Sequence, residues 1–211
     1  MSWSLLRPKS PLGRRDPRLE RWLDALLATP GLTAVREREE AWRVLIEEVL
    51  AAAHLLEHGP VVDVGSGGGS PGIPLAAARP DLRFDLLESQ RRKCAFLTAA
   101  ASEFPNVSVV RGRAEEHARG AGRDAYGAAV ARALAPPPVA AEWCLPLVRE
   151  GGVAVLYVGP SADEEALAEV AALLNAEPAQ SLAGLVVLRK TGPTPERFPR
   201  RPGVARKRPL A

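Results

Sequence analysis

The sequence predicts a doubly wound α/β fold, a mainly parallel seven-stranded sheet preceded by an N-terminal helical cap. Three observations carry this expectation. From residue 60 onward short apolar strands alternate with helical segments, and strands joined through helices pair in parallel by right-handed crossovers. A glycine-rich turn stands directly between the first strand and the first helix of that run. The last two strands have no helix between them, so they close the sheet as an antiparallel hairpin. With 211 residues, 46% of them hydrophobic, the chain can bury one substantial core. Fibrous and disordered organisations are excluded by the same composition.

Taken in order, residues 16–29 place Leu19, Trp22, Leu23, Leu26 and Leu27 at helical spacing, and Trp42, Leu45, Ile46, Val49, Leu50 and Ala53 repeat the pattern. These are two amphipathic helices with a shared apolar face. Strand 61–64 (VVDV) follows, then a helix beginning at Pro71 with Ser70 as its N-cap. Next come strand 83–88, helix 91–104, strand 107–110 and a short helix from about Arg113. Strand 127–133, helix 137–148, strand 152–158 and helix 161–175 lead to the hairpin of 179–182 and 185–190. The organisation is a basic arm and helical cap over 1–58, a ligand-binding α/β domain over 59–195 and a basic tail over 196–211.

Charge is unevenly spread. The formal total is +3, yet residues 1–21 carry a local +4 and residues 196–211 a local +5, leaving 16 basic against 22 acidic side chains between them. Basic ends suit a polyanion. No apolar run has the length of a signal peptide core or a membrane span, so a cytoplasmic protein with no membrane partner is expected. Cys94 and Cys144 lie in helical contexts and read as buried reduced thiols. His54, Glu57 and His58 spell HxxEH, but no further acidic ligand is marked out, and no metal is expected.

The chemistry lies in Asp63–Gly72, DVGSGGGSPG. Five glycines in eight residues let the backbone turn sharply and approach a ligand closely. Residues 67–72 match the GxGxxG of dinucleotide sites, whereas 63–69 match the DxGxGxG loop of S-adenosylmethionine enzymes. Asp63 at the strand tip suits a cationic amino end better than a pyrophosphate. Glu88, closing the next strand, suits ribose hydroxyls in either ligand class.

The run 61–97, with PGIPLA directly after the glycines, resembles the core of the RsmG (GidB) family, bacterial methyltransferases of a guanine N7 in 16S ribosomal RNA. Further matches are GLTAVREREEAW (31–42), GRAEE (112–116), the ARALA segment containing Arg132, and RRPGVARKRPL (200–210), so the resemblance spans roughly residues 31–210. It implies a class I S-adenosylmethionine methyltransferase fold in which Gly65, Gly67, Gly69 and Ser70 line the S-adenosyl-L-methionine pocket. In that reading Glu88 holds the ribose, Ala114 and Glu115 flank the adenine, and Arg132 faces the methyl-transfer site. The tail cations Arg197, Arg200, Arg201, Arg206, Lys207 and Arg208 would bind 16S ribosomal RNA or the small ribosomal subunit, with the protein acting as a monomer.

The chain departs from the family's usual pattern at Gly31, Leu45, Glu48, Val49, Ser70 and Val158, positions that bear on RNA contacts more than on the cofactor. No catalytic side chain is assigned, because guanine N7 offers a lone pair and no proton and needs no general base. The alternatives are a homologue that binds S-adenosylmethionine or RNA with altered or lost activity, and a nicotinamide-dependent oxidoreductase. Deleting 197–211 is expected to weaken RNA binding while leaving cofactor affinity nearly unchanged.

Overall fold

The computed structural model describes residues 15–159, 162–182 and 184–211. Helix α1 (Pro17–Ala28) starts at Asp16, whose carboxylate accepts from the Arg18 N–H at 2.9 Å, with Pro17 in the first turn where its missing N–H costs nothing. Its buried face is Leu19, Trp22, Leu23 and Leu26. The second amphipathic run departs from one regular helix: α2 (Arg38–Trp42) passes into a π turn (Arg43–Glu47) and then a tighter 3-10 segment (Val49–Leu55). All six of its expected apolar positions are nonetheless buried. The change of pitch turns one short segment toward two places. Trp42, Leu45 and Ile46 pack with α1, while Ala52, Ala53 and Leu56 pack under Val61 and Phe84.

The strands are β1 (Val61–Val64), β2 (Phe84–Glu88), β3 (Val107–Arg111), β4 (Tyr126–Arg132), β5 (Val148–Tyr157), β6 (Ala176–Leu182) and β7 (Leu185–Lys190). They form one sheet of order β3-β2-β1-β4-β5-β7-β6. The first five are parallel, and β7 runs antiparallel to both β5 and β6. Between them lie α3 (Gly72–Ala78), α4 (Arg91–Ala101), α5 (Ala114–His117), α6 (Pro137–Cys144) and α7 (Glu164–Leu173), with α8 (Val204–Lys207) near the end. Every residue of β1 is buried, as a central parallel strand covered on both faces must be. The strand order reverses between β1 and β4, and open α/β sheets bind ligands at the carboxyl ends of the strands flanking such a reversal.

Two charged ends look different in three dimensions. Residues 1–14 lie outside the described residues, with Arg7, Lys9 and Arg14 among them. Of the remaining N-terminal cations, Arg15 pairs with Glu39 and lies over the Trp42 ring, Arg18 pairs with Asp16, and Arg21 pairs with Glu103. At the other end the separate tail of the sequence reading is packed onto the sheet domain. Phe198 and Ala205 are buried, and Arg123 donates to the carbonyls of Phe198 and Thr194, each at 2.7 Å. Arg200, expected to meet RNA, instead grips the buried Glu142 of α6 with both Nε and Nη2. The approach to this tail is anchored by Lys190, whose buried ammonium donates to Thr194 Oγ1 at 2.6 Å and Asp124 Oδ1 at 3.1 Å. Both cysteines are free and buried.

The helical cap also touches the glycine turn: the buried Trp22 indole donates from Nε1 to the Gly68 carbonyl at 2.9 Å. Trp22→Phe keeps most of the apolar fill and removes this bond. The expected result is a loss of about 1–2 kcal/mol of unfolding free energy, read from urea denaturation. An arginine left without its buried partner costs less than the reverse. Arg200→Met strands the Glu142 carboxylate, so a loss of roughly 3 kcal/mol is expected in the same assay.

Candidate functional site

The turn after β1 is held from below by two carboxylates. Gly65 and Ser66 donate their N–H groups to the Leu87 carbonyl at 2.8 and 3.1 Å, which carries the chain over the tip of β2. Gly65 sits at φ +72°, a left-handed conformation that favours glycine. Glu88 then fixes the turn, its Oε2 accepting from Gly67 N at 3.0 Å and its Oε1 from Gln90 N at 2.8 Å. A carboxylate has about four lone-pair sites, so both oxygens keep capacity for a ligand hydroxyl.

Asp63 departs from its expected role. It is buried beneath the turn, where Oδ2 accepts from Gly72 N at 3.1 Å, so it holds the start of α3 and does not meet a ligand's amino end. A Cβ on Gly72 would stand 2.7 Å from that same oxygen, which is why the position needs glycine. Burial pushes the Asp63 carboxyl up to about 7, against the opposing pull of its hydrogen bonds with Gly72 and Ser66. Ser70 departs as well. Pro71 occupies the cap position of α3, and the Ser70 hydroxyl donates to the Leu45 carbonyl at 2.8 Å, tying the turn to the helical cap. Arg132, at the tip of β4, donates to Ser70 Oγ at 3.2 Å, and burial lowers its pKa from the ordinary arginine value.

Two cavities open at this end of the sheet. The first, about 450 Å³, is lined by Gly65, Glu88, Ala114, Glu115, Trp143 and Arg206 among others. Four of the expected cofactor residues (Gly65, Glu88, Ala114 and Glu115) thus share one wall system, while Gly67, Gly69 and Ser70 form the turn beside it. The second cavity, about 390 Å³, is lined by Glu48, Val49, Arg132, Tyr157 and Val158 among others. Arg132 is on this cavity, and Ala133 belongs to both. The Glu115 carboxylate also holds the protein itself: Oε1 accepts from Gly203 N at 2.9 Å, docking the C-terminal segment at the cavity.

Trp143 is a cavity residue that sequence reasoning missed, and Arg206, expected to bind RNA, also lines the cavity. Arg206 lies over the Trp143 ring at 5.8 Å from its centroid. The two are far apart in sequence, and no local pattern could have brought them together. Trp143 Nε1 is the one buried side-chain polar atom among the described residues that has no hydrogen-bond partner. A buried donor without an acceptor is costly, and Trp143 belongs to the lining of the first cavity. His54, Glu57 and His58 are exposed, and among the described residues no group of three or more His, Cys, Asp or Glu is placed to hold a metal ion.

A seven-stranded sheet ending in an antiparallel hairpin, with a cavity at the tips of β1, β2 and β4, defines the class I methyltransferase fold. Solved structures of that class superpose on most of the chain. Cofactor-bound Rv0187 from MTB matches with TM-score 0.57 and 21% identity, covering 87% of this chain and 94% of that one. The O-methyltransferase TomG from Streptomyces achromogenes, in complex with SAM, matches with TM-score 0.53 and 21% identity, covering 85% and 92%. The family model for rRNA small subunit methyltransferase G matches residues 18–184. Ribosomal RNA small subunit methyltransferase G of Rubrobacter xylanophilus is 44% identical over 191 residues, 79% of this chain and 73% of that protein. Its counterpart from Thermotoga neapolitana is 38% identical over 205 residues, 90% and 89% respectively. The chain belongs to the rRNA small subunit methyltransferase G (GidB) family.

Two outcomes follow from this geometry. Folding raises the Asp63 pKa above its unfolded value of 3.8, so the native state binds that proton more tightly. Its deprotonation therefore erodes stability as pH rises from about 4 to about 7, with no further loss above. Asp63→Asn, which keeps an acceptor for Gly72 N, should gain on the natural protein by about 2 kcal/mol between pH 5 and pH 8, measured by urea denaturation at each pH. Deleting 197–211 removes Arg206 from the first cavity and the partners of Glu115 and Glu142. Contrary to the expectation from sequence, cofactor affinity should fall along with RNA affinity and thermal midpoint, as followed by calorimetry and melting.

Proposed function

We propose that the chain transfers the methyl group of S-adenosylmethionine to a guanine N7 of 16S ribosomal RNA, as a monomer in the cytoplasm. Membership of the family supports the reaction class and the ribosomal substrate. The observation that carries the cofactor is the first cavity, whose lining holds a Glu88 carboxylate already fixed by two backbone amides together with Ala114, Glu115 and the Trp143 side chain. Glu88 would accept from the two ribose hydroxyls, and the segment at Ala114 and Glu115, with Trp143 opposite, would hold the adenine. Gly65, Gly67, Gly69 and Ser70 would carry the amino acid end, close to Arg132. When bound, S-adenosylmethionine supplies an electrophilic methyl group on a sulfonium.

What remains for the protein is alignment and exclusion of water. Guanine N7 presents a lone pair and no proton, so no general base is required, and holding acceptor and donor in line supplies most of the acceleration. Neither cysteine is available as a nucleophile: both are buried, and burial raises each thiol pKa. Arg197, Arg201, Lys207 and Arg208 are exposed. They make no ion pair or side-chain hydrogen bond among the described residues, which suits contacts to RNA phosphates. Arg200 and Arg206 are committed to Glu142 and to the cavity wall. Among the described residues no helix is long and apolar enough to cross a membrane.

Calorimetry with S-adenosylmethionine and with NAD separates the two ligand classes, and binding of the first alone is expected. Binding of NAD alone would overturn the proposal. In cells lacking the gene, one N7-methylguanine should disappear from 16S ribosomal RNA and return when the gene is restored. An unchanged methylation map would leave a binding protein without this activity.

A further inference from the structure

We infer that the second cavity receives the target purine and that Glu48 selects guanine by accepting hydrogen bonds from its N1–H and exocyclic N2 amine. The inference rests on the proposed function and names the acceptor side of the same reaction. Four observations lead to it. The cavity adjoins the first through Ala133, and an acceptor atom must lie within roughly 3–3.5 Å of the methyl it attacks, so it needs a space contiguous with the cofactor's. At about 390 Å³ it falls in the lower part of the range of roughly 300–1,000 Å³ that suits a small planar ligand. Val49, Tyr157, Val158 and Leu185 give it apolar and aromatic walls, the surroundings in which an unstacked base is held. Glu48 brings the one carboxylate among its lining residues.

The carboxylate decides the base. An ionised carboxylate is acceptor-only, with two oxygens able to take a parallel pair of hydrogen bonds. Guanine alone among the RNA bases presents two adjacent donors, N1–H and the N2 amine, on its Watson–Crick edge. Adenine places an acceptor at N1 and would leave both partners unsatisfied, which a buried edge penalises heavily. Glu48 is ready for this pairing. Arg43 pairs with its Oε1, while Oε2 has no hydrogen-bond partner among the described residues. N7 lies on the far side of the purine from the N1–N2 edge. Pairing that edge at Glu48 therefore turns N7 away from the carboxylate and into the cavity, whose lining includes the Ala133 it shares with the first cavity. Tyr157 braces this arrangement by donating its hydroxyl to the Val49 carbonyl at 2.5 Å, fixing the segment that carries Glu48 against β5.

The test uses the full chain and 16S ribosomal RNA with either guanosine or a single inosine at the mapped methylation position. Inosine keeps N7 and N1–H and lacks the N2 amine. The natural protein should favour guanosine over inosine in kcat/KM by about tenfold or more, and Glu48→Gln should shrink that preference below about threefold while S-adenosylmethionine affinity is unchanged. A merely structural role for Glu48 would lower both rates and leave their ratio alone, which would overturn the inference. So would loss of cofactor affinity with the ratio intact, which would place the carboxylate on the cofactor's ammonium. Glu48→Ala, read in the same way, replaces the Gln variant if the latter misfolds by circular dichroism. If the natural protein methylates no guanine in this RNA, the proposed function itself fails, a result distinct from methylation whose base preference ignores Glu48.

Discussion

Buried carboxylates gripping backbone amides organise the ligand end of this molecule. Asp63 accepts from Gly72, Glu88 from Gly67 and Gln90, and Glu115 from Gly203. Fixed donors offset part of the cost of burying an acid, and here the donors are the N–H groups of turns that have no other partner. Each contact therefore does two things at once. It satisfies an acid that folding removes from water, and it fixes a loop at the mouth of a cavity. The glycine turn, the start of α3 and the docking of the C-terminal segment all depend on this arrangement.

The division of charge takes on a different meaning in that frame. The acidic body and basic ends of the sequence are partly neutralised against each other. Arg200 closes on Glu142, Lys190 on Asp124, and Arg15, Arg18 and Arg21 on nearby acids. Against the upward push of burial, Thr194 and Lys190 hold the Asp124 carboxyl below its ordinary value. Among the described residues of the two ends, Arg197, Arg201, Lys207 and Arg208 on the docked segment are exposed and make no ion pair. Because that segment also carries Arg206 to the first cavity, these exposed cations and part of the cavity lining sit on one short stretch of chain.

The cap and the site are joined in a similar way. Trp22 reaches Gly68, Ser70 reaches Leu45, and Tyr157 reaches Val49, so the described part of the cap bears on the glycine turn and on the second cavity. The π turn and 3-10 segment make this possible, since a uniform helix could not bury Trp42 against α1 and Ala52 under β1 while presenting Glu48 to the second cavity.

Alternation of apolar strands with helices, the glycine turn and the closing hairpin were legible in the sequence because each is local: periodicity, a left-handed glycine and a missing crossover are properties of short segments. The burial of β1 follows from those segments through the general rules of the fold, whereas the grouping of Gly65, Ala114 and Glu115 was implied by the family resemblance and not by any local pattern. The sequence could not decide whether Asp63 and Ser70 face a ligand or the protein, because both directions fit the same spacing. Nor could it tell a docked segment from a solvated arm, since the partners of Arg200, Gly203 and Arg206 lie 58 or more residues away. Those choices belong to tertiary structure, where burial decides which polar group must be paired and proximity decides with what.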